Sequence, residues 1–458
     1  MALGRILVHK ISGSVPSSCT VRPVSALENV SFFSPHDATI RYFIFLDYRV
    51  CLRPYTPVSM KNLLVRLVFL VFSVVFLVGS DRSDVGETTT YNRFEVPFYG
   101  QPVPIEYDPG MRLPSLQSIE HANIRSAVRR ADRSPTRPLL NSLLAAKERY
   151  ELNDFLFYKL ARLSLRVIYE GRNRNAQELG LYKMLVDVGF DARLTFRGGR
   201  VFVNVYTSED LFEVPIIDTG NRPYANLSCM EQDCNGRQRL YIYDGHPNPR
   251  GRSFGFQLTR WPRLAEQPVD RELRFLYHGV QQSMKVTYDK TMVDIMKDYP
   301  FIHEYCYLET PLSNTLRKSL LPQLEHYMQR MDEQQRLELL ASFTRSAFAY
   351  KEDSEYFGRS KPMVPEELFG YSYSDCEDRS ALFFALVRDL LDLPMAVVAY
   401  DDHLTVAVGS ETIPGDAFRM NGQRYVFCDP TGPRASSRIG IIPPGYEDKK
   451  FTIIGAYK

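Results

Sequence analysis

Three residues near the C-terminal end of this chain have the types needed for nucleophilic acyl chemistry: Cys376, His403 and Asp429. A thiol attacks as its thiolate, and a helix N-terminus supplies partial positive charge that favours that form. An imidazole can take or stabilise the proton, and a carboxylate can hold the imidazole in the right tautomer. The surrounding sequence provides the necessary positions. Ser374-Asp375-Cys376-Glu377-Asp378 opens an expected helix that runs through Val387 and ends before Pro394, with Asp375 as its N-cap. Glu377 and Asp378 suit the helix dipole but oppose the thiolate electrostatically.

The helix is apolar nearly all round over Ala381–Val387, which predicts a central, buried element. Two β-rich runs follow, Met395–Tyr400 and His403–Val408, separated only by Asp401-Asp402, a hairpin pattern. A third run, Arg424–Cys428, leads into Asp429-Pro430-Thr431. His403 therefore begins one strand and Asp429 closes another, so both stand at element ends. Taken singly each has a plainer reading: a packed cysteine, a surface histidine, and an aspartate in a turn.

Together the segments resemble a family. Asp375-Cys376-Glu377-Asp378-Arg379-Ser380-Ala381 resembles the nucleophile motif of bacterial transglutaminase-like cysteine peptidases. Tyr425-Val426-Phe427-Cys428-Asp429-Pro430-Thr431 resembles that family's strand ending in Asp-Pro-Thr. The resemblance covers residues 333–458. It implies an α+β, papain-related core and acyl transfer through a thioester. Cys376 would attack an amide carbonyl, His403 would shuttle the proton, and Asp429 would orient His403. The backbone N–H of Cys376 would donate to the oxyanion, with Tyr373 as candidate second donor. Where the family commonly has Ala-Trp after the histidine, this chain has Leu404-Thr405, a departure that bears on substrate preference.

The expected function is thus an exported cysteine enzyme that cleaves or transfers peptide or isopeptide amides. A peptidoglycan-directed amidase belongs to the same chemistry, and a binding or assembly module that has lost activity is the alternative of a different class. No cofactor is expected. The cysteine spacing lacks the paired pattern of a zinc site, so no metal is expected either.

Upstream, helical periodicity begins near Leu139 and continues through Ile168, Leu181 and Leu185, followed by strand-like pieces at Ala192–Phe196 and Val201–Tyr206. Setting Leu181–Val186 against Leu382–Val387 places Asn175 opposite Cys376, and allowing the second copy two extra residues in the helix-to-strand turn places Arg200 opposite His403. A degenerate copy of the same helix-then-hairpin unit is one reading, and chance recurrence is the other. Further strands are expected at Arg239–Tyr243, Leu273–Tyr277 and Met284–Thr287. A helix is expected at Thr315–Met331, kinked or divided at Pro322, and another capped by Asp332 and Gln335. Residues 81–140 read as extended connector and edge strands, 141–325 as a mixed α+β domain, and 326–458 as the catalytic domain.

The chain has 458 residues, 44% of them hydrophobic and 12% aromatic, enough for more than one core. Its net charge of +2, with mixed signs along the chain, provides no basic stripe for nucleic acid. Arg125, Arg129, Arg130 and Arg133 read as a solvated face. A protein or peptide substrate is the expected partner.

The run Leu67–Val78, preceded by Lys61 and Arg66 and followed by Val78-Gly79-Ser80, is too short to span a bilayer and fits a signal-peptide core. Met60–Ser80 then reads as a signal peptide, and the residues before Met60 as an extension from a start placed too early. An uncleaved membrane anchor is the alternative. Export permits disulfides, and Cys229 and Cys234 are the candidate pair for a small loop.

Overall fold

The structure, a computed structural model, describes residues 91–458 apart from 117, 119, 220–221, 232–233, 235–239 and 433–437. The expected signal segment lies outside the described residues. The chain is α+β, as the sequence predicts, with two curled antiparallel five-stranded sheets. Among the described residues no helix is long and apolar enough to cross a membrane.

The first half opens with the hairpin β1 (Asn92–Phe98) and β2 (Gln101–Tyr107). Its turn is Tyr99-Gly100, both at positive φ, the mirror-image turn that matches strand twist. Helices α1 (His121–Arg133), α2 (Arg137–Arg149), α3 (Asp154–Ile168) and α4 (Arg174–Asp187) follow. Then come β3 (Ala192–Arg197), β4 (Arg200–Tyr206), β5 (Ile216–Asp218), β6 (Pro223–Asn226) and β7 (Tyr241–Ile242), in the sheet order β5-β6-β4-β3-β7.

The second half repeats this plan. The hairpin β8 (Pro268–Tyr277) and β9 (Val280–Asp289) turns at His278-Gly279, again both at positive φ. Helices α5 (Lys290–Lys297), α6 (Glu304–Glu309), α7 (Asn314–Tyr327), α8 (Glu333–Ala347) and α9 (Cys376–Leu390) lead to a second sheet. Its strands are β10 (Met395–Ala399), β11 (Leu404–Gly409), β12 (Ala417–Met420), β13 (Gln423–Cys428) and β14 (Thr452–Tyr457), in the order β12-β13-β11-β10-β14. Strand for strand, that is the order of the first sheet. Small contacts repeat as well. Ser142, sixth in α2, accepts the N–H of Glu106 in β2, and Ser319, sixth in α7, accepts that of Thr287 in β9. The helix-then-hairpin recurrence in the sequence is therefore one part of a duplicated topology.

Two large cores match the two halves. The first gathers residues from Val96 to Leu264 with part of α5. The second begins at Leu273, well before the expected boundary at 326, because Leu273, Phe275, Met284 and Val286 on one face of the β8–β9 hairpin bury against α7 and α8. Period-2 burial in a hairpin is the physical reason: such a face needs a helical layer beneath it. Residues 121–133 correct the expectation of an extended connector. They form α1, whose Ile124, Ala127, Val128 and Ala131 face inward while Arg125, Arg129, Arg130 and Arg133 stay exposed. The strand expected at Arg239–Tyr243 shortens to β7, and α7 passes through Pro322 as one helix. Cys229 and Cys234 are disulfide-bonded.

Candidate active site

Cys376 is the first residue of α9. Asp375 caps the helix by accepting the Asp378 N–H, and the Asp378 side chain accepts the Asp375 N–H in return, so the capping box fixes where the helix starts. Residues Ala381 to Val387 are all buried, which seats α9 between the sheet and α8. Ser380 Oγ donates to the Leu404 carbonyl at 3.0 Å, so the helix that Cys376 opens is tied to the strand that His403 precedes.

The thiol is not the exposed thiolate that a helix N-terminus alone would favour. Cys376 is only 7% exposed, and its Sγ donates to Glu377 Oε2 at 2.9 Å. Burial pushes the thiol up, and the Glu377 and Asp375 charges push it further, against the Leu404 N–H. Glu377 is itself raised to about 8, by burial and then by Asp375. Among the described hydrogen bonds none joins Cys376 to His403.

His403 and Asp429 do come together, with Nε2 and Oδ1 3.5 Å apart. Thr431 closes the arrangement. Its hydroxyl donates to Asp429 Oδ1 at 2.7 Å and lies 3.3 Å from His403 Nε2, while its N–H also reaches Oδ1. Thr405 Oγ1 donates to the same oxygen at 3.3 Å. Burial alone would raise Asp429, but the hydrogen bond and charge of His403, with the Thr431 donors, hold its carboxyl below the usual range. The Tyr446 ring lies 5.0 Å from the His403 ring.

His403, Asp429 and Thr431 form part of the wall of a cavity of about 760 Å3, with Tyr350, Tyr446 and Arg345. Cys376 is not among the residues that line this cavity, although a charge on its sulfur would raise the Tyr350 and Tyr446 phenols that are. Arg379 anchors the floor: its guanidinium donates to Ser374 Oγ and to the carbonyls of Phe348 and Thr431, joining α9 to the loop that carries Asp429. Tyr373, the sequence candidate for an oxyanion donor, is outside this wall. Its ring packs on Tyr356 at 4.9 Å and under Lys351. Tyr350 is the phenol the cavity presents instead, and it lay unmarked in the sequence because only the return of the chain from residue 350 to 373 brings it there. Tyr446 likewise has no local signal.

No protein-family model, curated protein or solved structure matches this chain. The site is read from its own geometry.

Behind Cys376, one carboxylate oxygen each of Asp353, Asp375 and Asp378 lie within 4.8 Å of one another, a grouping the cysteine spacing did not signal. Backbone N–H groups of Lys361 and Met363 satisfy Asp353 and Asp378. Burial and mutual repulsion raise all three carboxyls, Asp353 to about 7, so shared protons offset the charge there.

The first half holds the corresponding positions without the chemistry. Asn175 Oδ1 accepts the Val201 N–H at 3.0 Å. Arg200 occupies the place of His403. Strand pairing of Val205 with Ala225 and of Val408 with Val426 sets Ser228 opposite Asp429. Glu178, opposite Arg379, binds Arg162 through both oxygens and accepts from Ser228 Oγ.

Proposed function

We propose that this protein is an exported thiol enzyme of the transglutaminase-like type, cleaving or transferring peptide amides through a thioester on Cys376. The observation that carries the reading is the His403–Asp429–Thr431 cluster in the wall of a large cavity, with the strand that His403 precedes held to the Cys376 helix by the Ser380–Leu404 hydrogen bond. Because the thiol is held protonated, His403 removes its proton as the S–C bond forms rather than resting beside a preformed thiolate. Glu377 gives up the S–H in that step. The tetrahedral oxyanion sits at the N-terminus of α9, where the unpaired first-turn N–H groups, that of Cys376 included, provide donors. His403 then protonates the leaving amine, and water or a second amine opens the thioester. Asp429, charged and hydrogen-bonded, stabilises the imidazolium throughout.

A fluorogenic panel of peptide amides tests this reading. Turnover by the wild-type chain should vanish in Cys376→Ala, and added glycine ethyl ester should divert product if transfer competes with hydrolysis. The second reading, a binding module, is favoured by the buried sulfur bonded to Glu377. Equal residual turnover in wild type and Cys376→Ala would select it. Export agrees with the Cys229–Cys234 disulfide.

A further inference from the structure

The duplication separates residues that serve the frame from residues that serve the site. Ser142 and Ser319 hold the same hairpin-to-helix contact in both halves. The groups around His403 are not repeated. With Val205 opposite Val408 and Ala225 opposite Val426, Phe202 stands opposite Thr405 and Met230 opposite Thr431. The first half thus has a phenyl ring and a thioether where the second has two hydroxyls. It also has Asn175, Arg200 and Ser228 in place of Cys376, His403 and Asp429. The two hydroxyls accompany the chemistry, not the frame, and both donate to Asp429 Oδ1.

Thr431 has a single hydroxyl hydrogen, and it goes to Asp429 Oδ1 at 2.7 Å. Toward His403 Nε2, 3.3 Å away, the same oxygen can then only accept, so in the neutral ring Nε2 carries the hydrogen. Placing that hydrogen on Nδ1 would turn the hydroxyl to Nε2 and leave two bare oxygens facing each other at 2.7 Å. Asp429 itself is the farther acceptor from Nε2, at 3.5 Å. The hydroxyl is fixed on both sides: the Thr431 N–H donates to Asp429 Oδ1 at 3.1 Å, and its carbonyl accepts from Arg379 Nη1 at 2.8 Å. Thr431 is buried. We propose that Thr431 is the positioning residue that sets the His403 tautomer, keeping the hydrogen on Nε2 and leaving Nδ1 as the atom that takes the Cys376 proton. Its catalytic consequence rests on the enzymatic reading above. In that reaction the S–H proton passes to Nδ1 and from there to the leaving amine, while Nε2 and Thr431 each keep their own hydrogen.

Ring nitrogen-15 resonances of the full chain labelled at histidine test the assignment, with His403 identified by the signals lost in His403→Ala. The neutral ring, read at the alkaline end of a pH series, should have its hydrogen on Nε2. Thr431→Val keeps the shape and removes the hydroxyl. It should mix the two tautomers and lower kcat for peptide amides by about 10–100-fold, with KM changed by less than about threefold. Thr431→Ser should restore most of both. Thr431→Ala serves if Thr431→Val fails to fold, and the wild-type spectrum needs no variant. A wild-type ring with its hydrogen on Nδ1, or a tautomer untouched by loss of the hydroxyl, would overturn the inference. So would a mixed tautomer with kcat unchanged. The two proposals fail separately. Turnover that depends on Cys376 but accompanies an Nδ1–H ring sinks this inference alone. An Nε2–H ring that Thr431→Val mixes, in a chain without turnover, sinks the enzymatic reading alone.

Discussion

Replacing Glu377 by Gln isolates what keeps Cys376 protonated. The Sγ–Oε2 separation is 2.9 Å. Two unit charges at that distance repel by about 6 kcal/mol at an effective dielectric of about 20. Glu377 is half-buried, and solvent screening cuts this to about 2 kcal/mol, which is ~30-fold in the thiolate population at fixed pH. The effect has a pH signature. Glu377 is raised to about 8, so above pH 8 it is charged and opposes the thiolate, and Gln should then accelerate alkylation of Cys376. Below pH 8 the wild-type carboxyl is largely neutral, Gln mimics it, and the ratio should approach one. The assay is the iodoacetamide rate at Cys376 from pH 6 to 9.5, read by peptide mass mapping so that Cys306 and Cys428, the other free thiols among the described residues, are scored apart. A ratio that stays within twofold at pH 9, or is equally large at pH 6, refutes the reasoning.

Three further outcomes follow from the same contacts. His403→Ala should lower peptide-amide turnover by about 10²–10⁴-fold with little change in folding, checked by kcat and by circular dichroism. Asp429 is held below the usual carboxylate range, so its ion pair stabilises the fold at pH values above that range and is lost as pH falls through its lowered pKa. The gap in melting temperature between wild type and Asp429→Asn should therefore be wide at pH 6 and should close only as pH falls below the ordinary carboxylate range. In the first half, Arg162→Met strands the buried Glu178 and should cost about 3–5 kcal/mol in urea unfolding, while adding Glu178→Leu should restore most of it.

Short-range chemistry was legible in the sequence. Asp375 as N-cap, the Asp332–Gln335 capping box, the hairpin around Asp401-Asp402 and the apolar helix behind Cys376 each depend on neighbours a few residues apart, and each is present. Helix α1 was missed because half of its buried face is alanine, Ala127 and Ala131, between exposed arginines. The duplication surfaced only as one helix and one hairpin. Its other marks are single residues that geometry demands, such as Gly100 and Gly279 in the turns and Ser142 and Ser319 on the helices. What remained hidden in the site are bonds between distant residues: Arg379 to carbonyls at 348 and 431, Tyr446 on His403, and Tyr350 on the cavity wall. The direction of the Cys376 thiol was not legible either, since its burial is a property of the packed core.

In the proposed enzyme Cys376 carries the acyl group with His403 as its proton carrier. Intact-mass spectrometry of the chain quenched in acid during turnover of p-nitrophenyl acetate measures this directly. The expected result is an acetyl adduct that maps to Cys376, is missing from Cys376→Ser quenched at the same time, and forms at least about a hundredfold more slowly in His403→Ala. An adduct confined to Cys306, or formation at Cys376 at equal rates with and without His403, would contradict it.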